Sequence, residues 1–199
     1  MSTIIHDLEK IVEAACARET NIFGYGIWTH HIKQVAKIGR RIAAQFHADA
    51  EIVEIAALLH DYASVKDEAL VAEHHLHGPI EAERILSEFG YPRDKIVAVK
   101  HCIATHRASV CSERNSPEAE CLANADGMVH IEQVPALLHL VFVQRGMSID
   151  EGVAWVRDKL KRTWEKLSPQ IQDRMQGKYE SALETLTGRG EINNQKESS

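Results

Sequence analysis

Apolar residues recur along this chain at intervals of three and four, the spacing that places them on one face of an α-helix. Val35, Ile38 and Ile42 show this spacing within a helix predicted over residues 29–46, for which Thr29 is the expected N-cap. Strict alternation of apolar and polar residues, typical of a half-buried strand, never extends beyond about three residues. The pattern therefore predicts an all-α protein.

Proline, glycine and short polar residues mark the expected ends of further helices. Asp49 is a typical N-cap. Pro79 and Pro117 each fit the first turn of a helix, with Ser116 as the cap before the second, and Gly90 is expected to end the helix that Pro79 begins. The predicted helices cover residues 3–18, 29–46, 50–61, 78–90, 92–107, 116–125, 133–145, 148–167 and 169–186.

Composition favours one domain. The chain has 199 residues, of which 44% are hydrophobic and 26% charged, enough to close a single core. We expect that domain to span residues 1–188, and residues 189–199 to be a disordered tail because they contain too few apolar side chains to pack. The chain has neither a secretory signal nor a membrane span by pattern, and its four cysteines lack CxxC spacing, so we expect a cytoplasmic protein.

The net charge of −6 argues against a nucleic-acid duplex as partner, because no basic stripe is available to displace counterions from a phosphate backbone. It still allows a small anionic substrate, since a bound metal supplies local positive charge that the formal count omits. The 12 histidines are the unusual feature, and most of them fall between His30 and His106.

Four predicted helices place a histidine or an aspartate on the apolar face, and one of them carries His106 on the stripe of Ile103. His31 shares the stripe of Val35, whereas its neighbour His30 falls on the polar face. His60 and Asp61 follow a helix end that is apolar all round, and Asp126 continues the apolar stripe of a later helix. Imidazole nitrogens and carboxylate oxygens suit Mn²⁺, Fe²⁺ or Zn²⁺ and, less well, Mg²⁺, and they can leave positions free for water and substrate.

The ordered motifs resemble the HD-domain superfamily of metal-dependent phosphohydrolases. They are His31-x-x-Gln34-Val35, Ala56-Ala57-Leu58-Leu59-His60-Asp61, His77 before Gly78, Ile103-x-x-His106, and Asp126. The resemblance implies a single HD-type helical bundle with its motif core at residues 29–126. It also implies one divalent ion, with Mn²⁺ or Fe²⁺ favoured and Mg²⁺, Zn²⁺, Co²⁺ or Ni²⁺ as alternatives. Its ligands would be His31, His60, Asp61 and Asp126, and the His60–Asp61 pair would be catalytic.

The same resemblance implies roles for two further histidines, and three charged residues near the predicted ligands are further candidates. His77 and His106 stand where family members with a second ion carry two more histidines, and in members with one ion such residues contact phosphate or move protons. Lys66 and Arg107 are candidate hydrogen-bond donors to phosphate oxygens, and Asp67 is a candidate proton donor to the leaving group. We expect one ion, because no additional carboxylate stands near His77 to bridge a second one.

The predicted function is hydrolysis of a phosphate ester or anhydride, with a nucleotide as the substrate because similar small family members act on nucleotides. Two alternatives remain open. The first is a two-iron centre that oxidises its substrate with O₂, and the second is a metabolite sensor that keeps the metal without turnover. The sequence leaves a homodimer open as well.

Overall fold

The structure is a computed structural model that describes residues 3–107 and 113–187, and the expected tail therefore lies outside the described residues. The described part contains helices and no β-strand, which confirms the all-α prediction. No helix in that part is both long and apolar enough to cross a bilayer. The α-helices are α1 (Thr3–Cys16), α2 (Lys33–Ile42), α3 (Ala50–Leu59), α4 (Tyr62–Lys66), α5 (His74–Glu88), α6 (Arg93–Thr105), α7 (Pro117–Glu132), α8 (Val134–His139), α9 (Ile149–Lys166) and α10 (Pro169–Thr187).

The segment predicted as one helix over residues 29–46 is helical throughout, but not as a uniform α-helix. A π-helical turn, Trp28–Ile32, precedes α2, and a 3-10 turn, Ala43–Phe46, follows it. The prediction that Thr29 caps this helix was wrong. Thr29 lies inside the π turn, and its hydroxyl donates to the Gly26 carbonyl at 3.4 Å.

Three of the predicted helix ends are confirmed. The Asp49 side chain accepts hydrogen bonds from the first backbone amides of α3. The Ser116 side chain accepts one from the Ala119 amide at the start of α7. Gly90 follows α5 with a φ of +63°, a left-handed conformation that favours glycine.

Two predicted boundaries were wrong. Helix α5 begins at His74, so Pro79 lies inside it rather than in its first turn. The loss of one backbone hydrogen bond is tolerated there because Gly78 and Pro79 are buried against the core, where a Cβ on Gly78 would lie 2.8 Å from Ile103 Cγ2. Helix α7 continues past Ala125 to Glu132, because its last turns still bury apolar side chains such as Met128.

Helix α3 lies at the centre of the core, with every residue from Ile52 to Leu59 buried, and it packs against α1, α2, α6 and α7. This arrangement brings the end of α3, the π turn and the middle of α7 together. Helix α9 reaches the same place because Gly127 has no side chain: a Cβ there would lie 2.7 Å from Leu167 Cδ2 and 3.3 Å from Lys166 Cε.

Candidate metal centre

His60 and Asp61 form the turn between α3 and α4, so the apolar α3 places this polar pair at the core boundary. His60 is fully buried, and its Nδ1 donates a hydrogen bond to the Ala57 carbonyl at 2.7 Å. Because a carbonyl can only accept, this bond fixes the proton on Nδ1 and leaves the His60 Nε2 lone pair to face the cluster.

Four side chains from three segments converge on one point. His31 Nε2 lies 3.1 Å from His60 Nε2, 3.2 Å from Asp61 Oδ2 and 3.5 Å from Asp126 Oδ1. His60 Nε2 lies 3.3 Å from the same Asp61 oxygen. The structure therefore brings together all four residues that the sequence predicts as metal ligands.

These separations suit one small ion. Two ligand atoms, each about 2.1 Å from a metal, lie about 3.0 Å apart at a right angle and about 3.4 Å apart at the tetrahedral angle. The distances from His31 Nε2 to its three neighbours cover this range. Without a cation between them, the facing ring nitrogens of His31 and His60 can share only one proton. The donor atoms therefore fit a divalent metal.

The pKa values of the clustered side chains also favour a bound cation. Burial opposes protonation of His60, but Asp61 and Asp126 outweigh it and raise the pKa of His60 to about 9. Burial also opposes ionisation of Asp61, yet His60 and His31 hold its pKa well below the usual range. The two carboxylates thus attract positive charge into the site, and a metal ion would satisfy them in place of the His60 proton.

A second donor group shares Asp61 with the first. Asp61 Oδ1, the oxygen on the other side of the carboxylate, lies 3.6 Å from His74 Nε2, and His106 completes this group. His74 Nδ1 donates to the Val71 carbonyl at 2.8 Å and His106 Nδ1 to the Ile103 carbonyl at 2.6 Å. Burial lowers the pKa of His106 to about 3, so its ring is neutral and its Nε2 is available as a ligand.

Two more side chains contact Asp126: His130 at Oδ1, the oxygen that also faces His31, and Lys166 at Oδ2. His31, Asp126 and His130 thus form a further group of possible metal donors. His130 Nε2 lies 3.2 Å from Asp126 Oδ1, one helical turn further along α7, and the His130 ring stacks on His31. Lys166 Nζ donates to Asp126 Oδ2 at 2.5 Å and to the His106 carbonyl at 3.2 Å. Lys166 therefore fixes the carboxylate so that Oδ1 faces His31.

Three of the predicted site residues are not brought to this cluster. Lys66 Nζ donates to Glu81 on α5 at 2.6 Å, and Asp67 is exposed and caps the 3-10 turn at residues 68–70 through the Ala69 amide. His77 Nε2 faces Glu73 at 3.8 Å, while His74, three residues earlier, occupies the place expected for His77. The functional assignments of Lys66, Asp67 and His77 remain predictions.

The donor groups open into a cavity of about 880 Å³. Its walls come from the π turn, α5, α7, α8 and α9 as well as the donor residues. Arg107, which the sequence predicts as a hydrogen-bond donor to phosphate, lines this cavity, and its Nη1 donates to the Ala72 carbonyl at 2.5 Å. The other basic side chains in the wall, absent from the sequence-based prediction, are Arg145, Lys159, Arg162 and Lys166.

The π turn also contributes to this wall. It carries both His30 and His31, and a second π turn, Leu140–Gln144, carries Leu140 into the same cavity. Such turns occur frequently at functional sites, because one extra residue re-aims a side chain within an otherwise regular helix.

The residues missed from the sequence follow helical spacing. His130 stands four residues after Asp126, and Lys159, Arg162 and Lys166 stand four, seven and eleven residues after Trp155. That spacing identifies a basic stripe on α9, beside its buried apolar residues such as Leu160. The spacing alone does not tell what the stripe faces.

The family model described as HD domain matches residues 28–129, which is about half of the chain. This chain belongs to the HD domain family. The match contains His31, the His60–Asp61 dipeptide and Asp126, and it ends before α9. As an HD domain, the chain carries a fold that binds divalent metals and is associated with phosphohydrolase activity.

Two solved structures share the fold of this HD-domain chain. Bacillus subtilis YpgQ in complex with ADP is 22% identical with a TM-score of 0.66, over 92% of this chain and 93% of that one. Another structure of Bacillus subtilis YpgQ is 21% identical, also with a TM-score of 0.66, over 92% and 91% of the two chains. No curated protein sequence matches the chain.

Proposed function

We propose that this protein is a metal-dependent phosphohydrolase that cleaves a phosphate ester or anhydride of a nucleotide. The observation that carries the proposal is the convergence of His31, His60, Asp61 and Asp126, within 3.1–3.5 Å of His31 Nε2, at the wall of a cavity rich in basic side chains. The structural neighbour crystallised with ADP supports a nucleotide as the ligand.

The four residues of the first donor group would hold the ion. A divalent metal bound there supplies a water molecule of lowered pKa and withdraws charge from a phosphoryl oxygen. His60 presents Nε2 because its Nδ1 is held by the Ala57 carbonyl, and Asp126 presents Oδ1 because Lys166 holds Oδ2. Both side chains are therefore oriented before any ligand arrives.

Other residues act on the substrate. Arg107 lines the cavity, and among residues 3–107 and 113–187 its hydrogen bonds go to a neutral carbonyl and to the His75 ring, so its charge is available to a phosphate oxygen. His106 is neutral and its Nδ1 proton is bonded to the Ile103 carbonyl, so its Nε2 lone pair can accept a hydrogen bond from a water or hydroxyl in the site, or bind a second ion with His74 and Asp61.

The geometry also supports a second ion. The expectation of a single ion rested on the lack of a bridging carboxylate, but the two oxygens of Asp61 face two different donor groups. We therefore propose one ion at the first group and a second at the group of Asp61, His74 and His106 when metal is in excess. A cytoplasmic location and a homodimer remain predictions.

The test of this function is metal-dependent phosphate release. We expect the purified protein to release phosphate or pyrophosphate from at least one nucleotide, to lose more than about 99% of that rate on chelation, and to recover it with Mn²⁺. The His60→Gln variant is the matched negative control, because it keeps the shape of the site and removes a ligand. Activity that persists in the chelated protein, at the same rate as before, would remove the proposal.

The two-ion geometry gives the oxygenase alternative one observation in its favour. Protein purified anaerobically with iron separates the two functions. Oxygen consumption that depends on a candidate substrate and occurs without phosphate release would identify oxidation, and phosphate release without oxygen consumption would identify hydrolysis. Tight nucleotide binding with neither reaction would identify a sensor.

A further inference from the structure

The cavity is basic although the chain is acidic. Five cationic side chains line it (Arg107, Arg145, Lys159, Arg162 and Lys166) against two carboxylates, Asp61 and Asp126, whereas the whole chain carries a net charge of −6. The site therefore concentrates positive charge against the overall balance of the protein. A cavity with this excess of positive charge attracts an anion that carries more negative charge than the metal centre alone would neutralise.

Three of the cations belong to one face of α9. At about 100° per residue, Trp155, Lys159, Arg162 and Lys166 fall within an arc of about 60°. With a rise of about 1.5 Å per residue, Arg162 and Lys159 lie about 6 and 10 Å along the helix axis from Lys166. Lys166 is bonded to the predicted metal ligand Asp126. The stripe thus extends from the metal centre along the cavity wall.

Lys166 and Arg145 already have partners within the protein. Lys166 pairs with Asp126, and the Arg145 guanidinium lies 4.6 Å from the ring centroid of Trp155. Lys159 and Arg162, by contrast, have no hydrogen bond or ion pair within residues 3–107 and 113–187. Both side chains line the cavity.

Lys159 is a half-buried cation at this wall without a partner among the described residues. Removing such a charge from water without pairing it costs free energy. Burial lowers the pKa of Lys159 to about 8, although the nearby carboxylate of Asp126 favours its charged form. An anion bound beside Lys159 would remove this cost.

We propose that Lys159 and Arg162 form a phosphate subsite, next to the metal centre, that binds a phosphate group linked to the one being hydrolysed. The substrate class is thereby narrowed to compounds with two or more linked phosphates. This inference rests on the proposed function, because the metal centre defines which phosphate is cleaved. It assigns a binding role to α9, which lies outside the residues matched by the HD family model.

The test compares ADP with AMP, which differ by the one linked phosphate that the subsite would bind. Binding is measured by calorimetry on the full, Mn²⁺-loaded chain with hydrolysis-resistant phosphonate analogues of ADP and AMP, so that the metal centre holds one phosphate and turnover does not interfere. We expect Lys159→Met to weaken ADP binding by about 10- to 100-fold and AMP binding by less than about threefold. Lys159→Arg should recover part of the loss, and Arg162→Gln should cause a smaller one because its side chain is exposed.

The matched control is Lys161→Met. Lys161 is an exposed lysine on the same helix, about 130° around its axis from the stripe, and it does not line the cavity. Lys161→Met should leave the affinities for ADP and for AMP unchanged. On the metal-loaded enzyme, Lys159→Met should lower kcat/KM for ADP by the same factor as the affinity, and should lower kcat/KM for AMP by less than about threefold.

The outcomes separate this inference from the proposed function. Equal losses for ADP and AMP in Lys159→Met, or no loss for either, would overturn the subsite whether or not the protein hydrolyses nucleotides. A selective loss of ADP binding in a protein that hydrolyses nothing would support the subsite and leave hydrolysis without support.

Discussion

His31→Ala is expected to lose its bound metal and at least about a thousandfold of its phosphohydrolase activity, or about 4 kcal/mol of transition-state stabilisation. The reason is geometric: His31 Nε2 lies within 3.5 Å of donor atoms from His60, Asp61 and Asp126. Removing His31 would take away one of the four side chains that would hold the ion. The measurements are metal content per chain and initial rate in Mn²⁺-containing buffer.

The matched control is His30→Ala. His30 is exposed, and its Nδ1 donates a hydrogen bond to Gln133 Oε1 at the cavity wall rather than facing the two carboxylates. We expect it to retain its metal and to lose less than about threefold in rate. Thermal unfolding of both variants separates loss of a ligand from loss of the fold, and His31→Gln provides a milder change. Metal loss in His30→Ala but not in His31→Ala would show that the assignment of this turn is wrong by one residue.

His74→Ala is expected to lower the metal content of the metal-saturated protein from about two ions per chain to about one, while His77→Ala leaves it at about two. His74 Nε2 faces Asp61 Oδ1, whereas His77 faces Glu73. Because two-ion sites place their metals about 3.5–4 Å apart around a shared ligand, loss of His74 should also reduce the rate by about 10- to 100-fold.

Metal analysis of both variants in identical buffers is decisive for this second prediction. The two histidines are on the same helix three residues apart, which makes them matched controls for each other. Loss of an ion in His77→Ala with full retention in His74→Ala would contradict the assignment. One ion in the parent and in both variants would contradict the second site while leaving the first intact.

The structure places His77 outside the donor cluster, and it also shifts the start of the helix that carries His77. Proline is common in the first turn of helices, so Pro79 placed the expected start of α5 next to His77. The helix begins four residues before the predicted start, at His74, because the contacts of Gly78 and Pro79 with the core outweigh a local preference. His77 was predicted from the family motif, and the structure places His74, about one helical turn earlier, beside Asp61. A local preference for where a helix starts is worth about 1 kcal/mol and can be overridden by tertiary packing, which a single sequence does not show.

The ligands of the first group were accessible to prediction because each shares an apolar stripe or follows a buried helix end. His31 is aligned with Val35, and His60 follows an α3 whose residues 52–59 are all buried. The cationic partner of Asp126, Lys166, was not accessible in this way. Lys166 reaches Asp126 across 40 residues of sequence, through a close approach of α9 that depends on Gly127. Long-range contacts of this kind leave no local pattern.

The central claim is that a divalent ion is held by His31, His60, Asp61 and Asp126, and the most direct test is diffraction from Mn²⁺-loaded crystals at the manganese absorption edge. The account predicts an anomalous peak within about 2.0–2.3 Å of the Nε2 atoms of both histidines and of one oxygen from each aspartate. A peak bound by other residues, or no peak at this cluster in fully loaded protein, would contradict it.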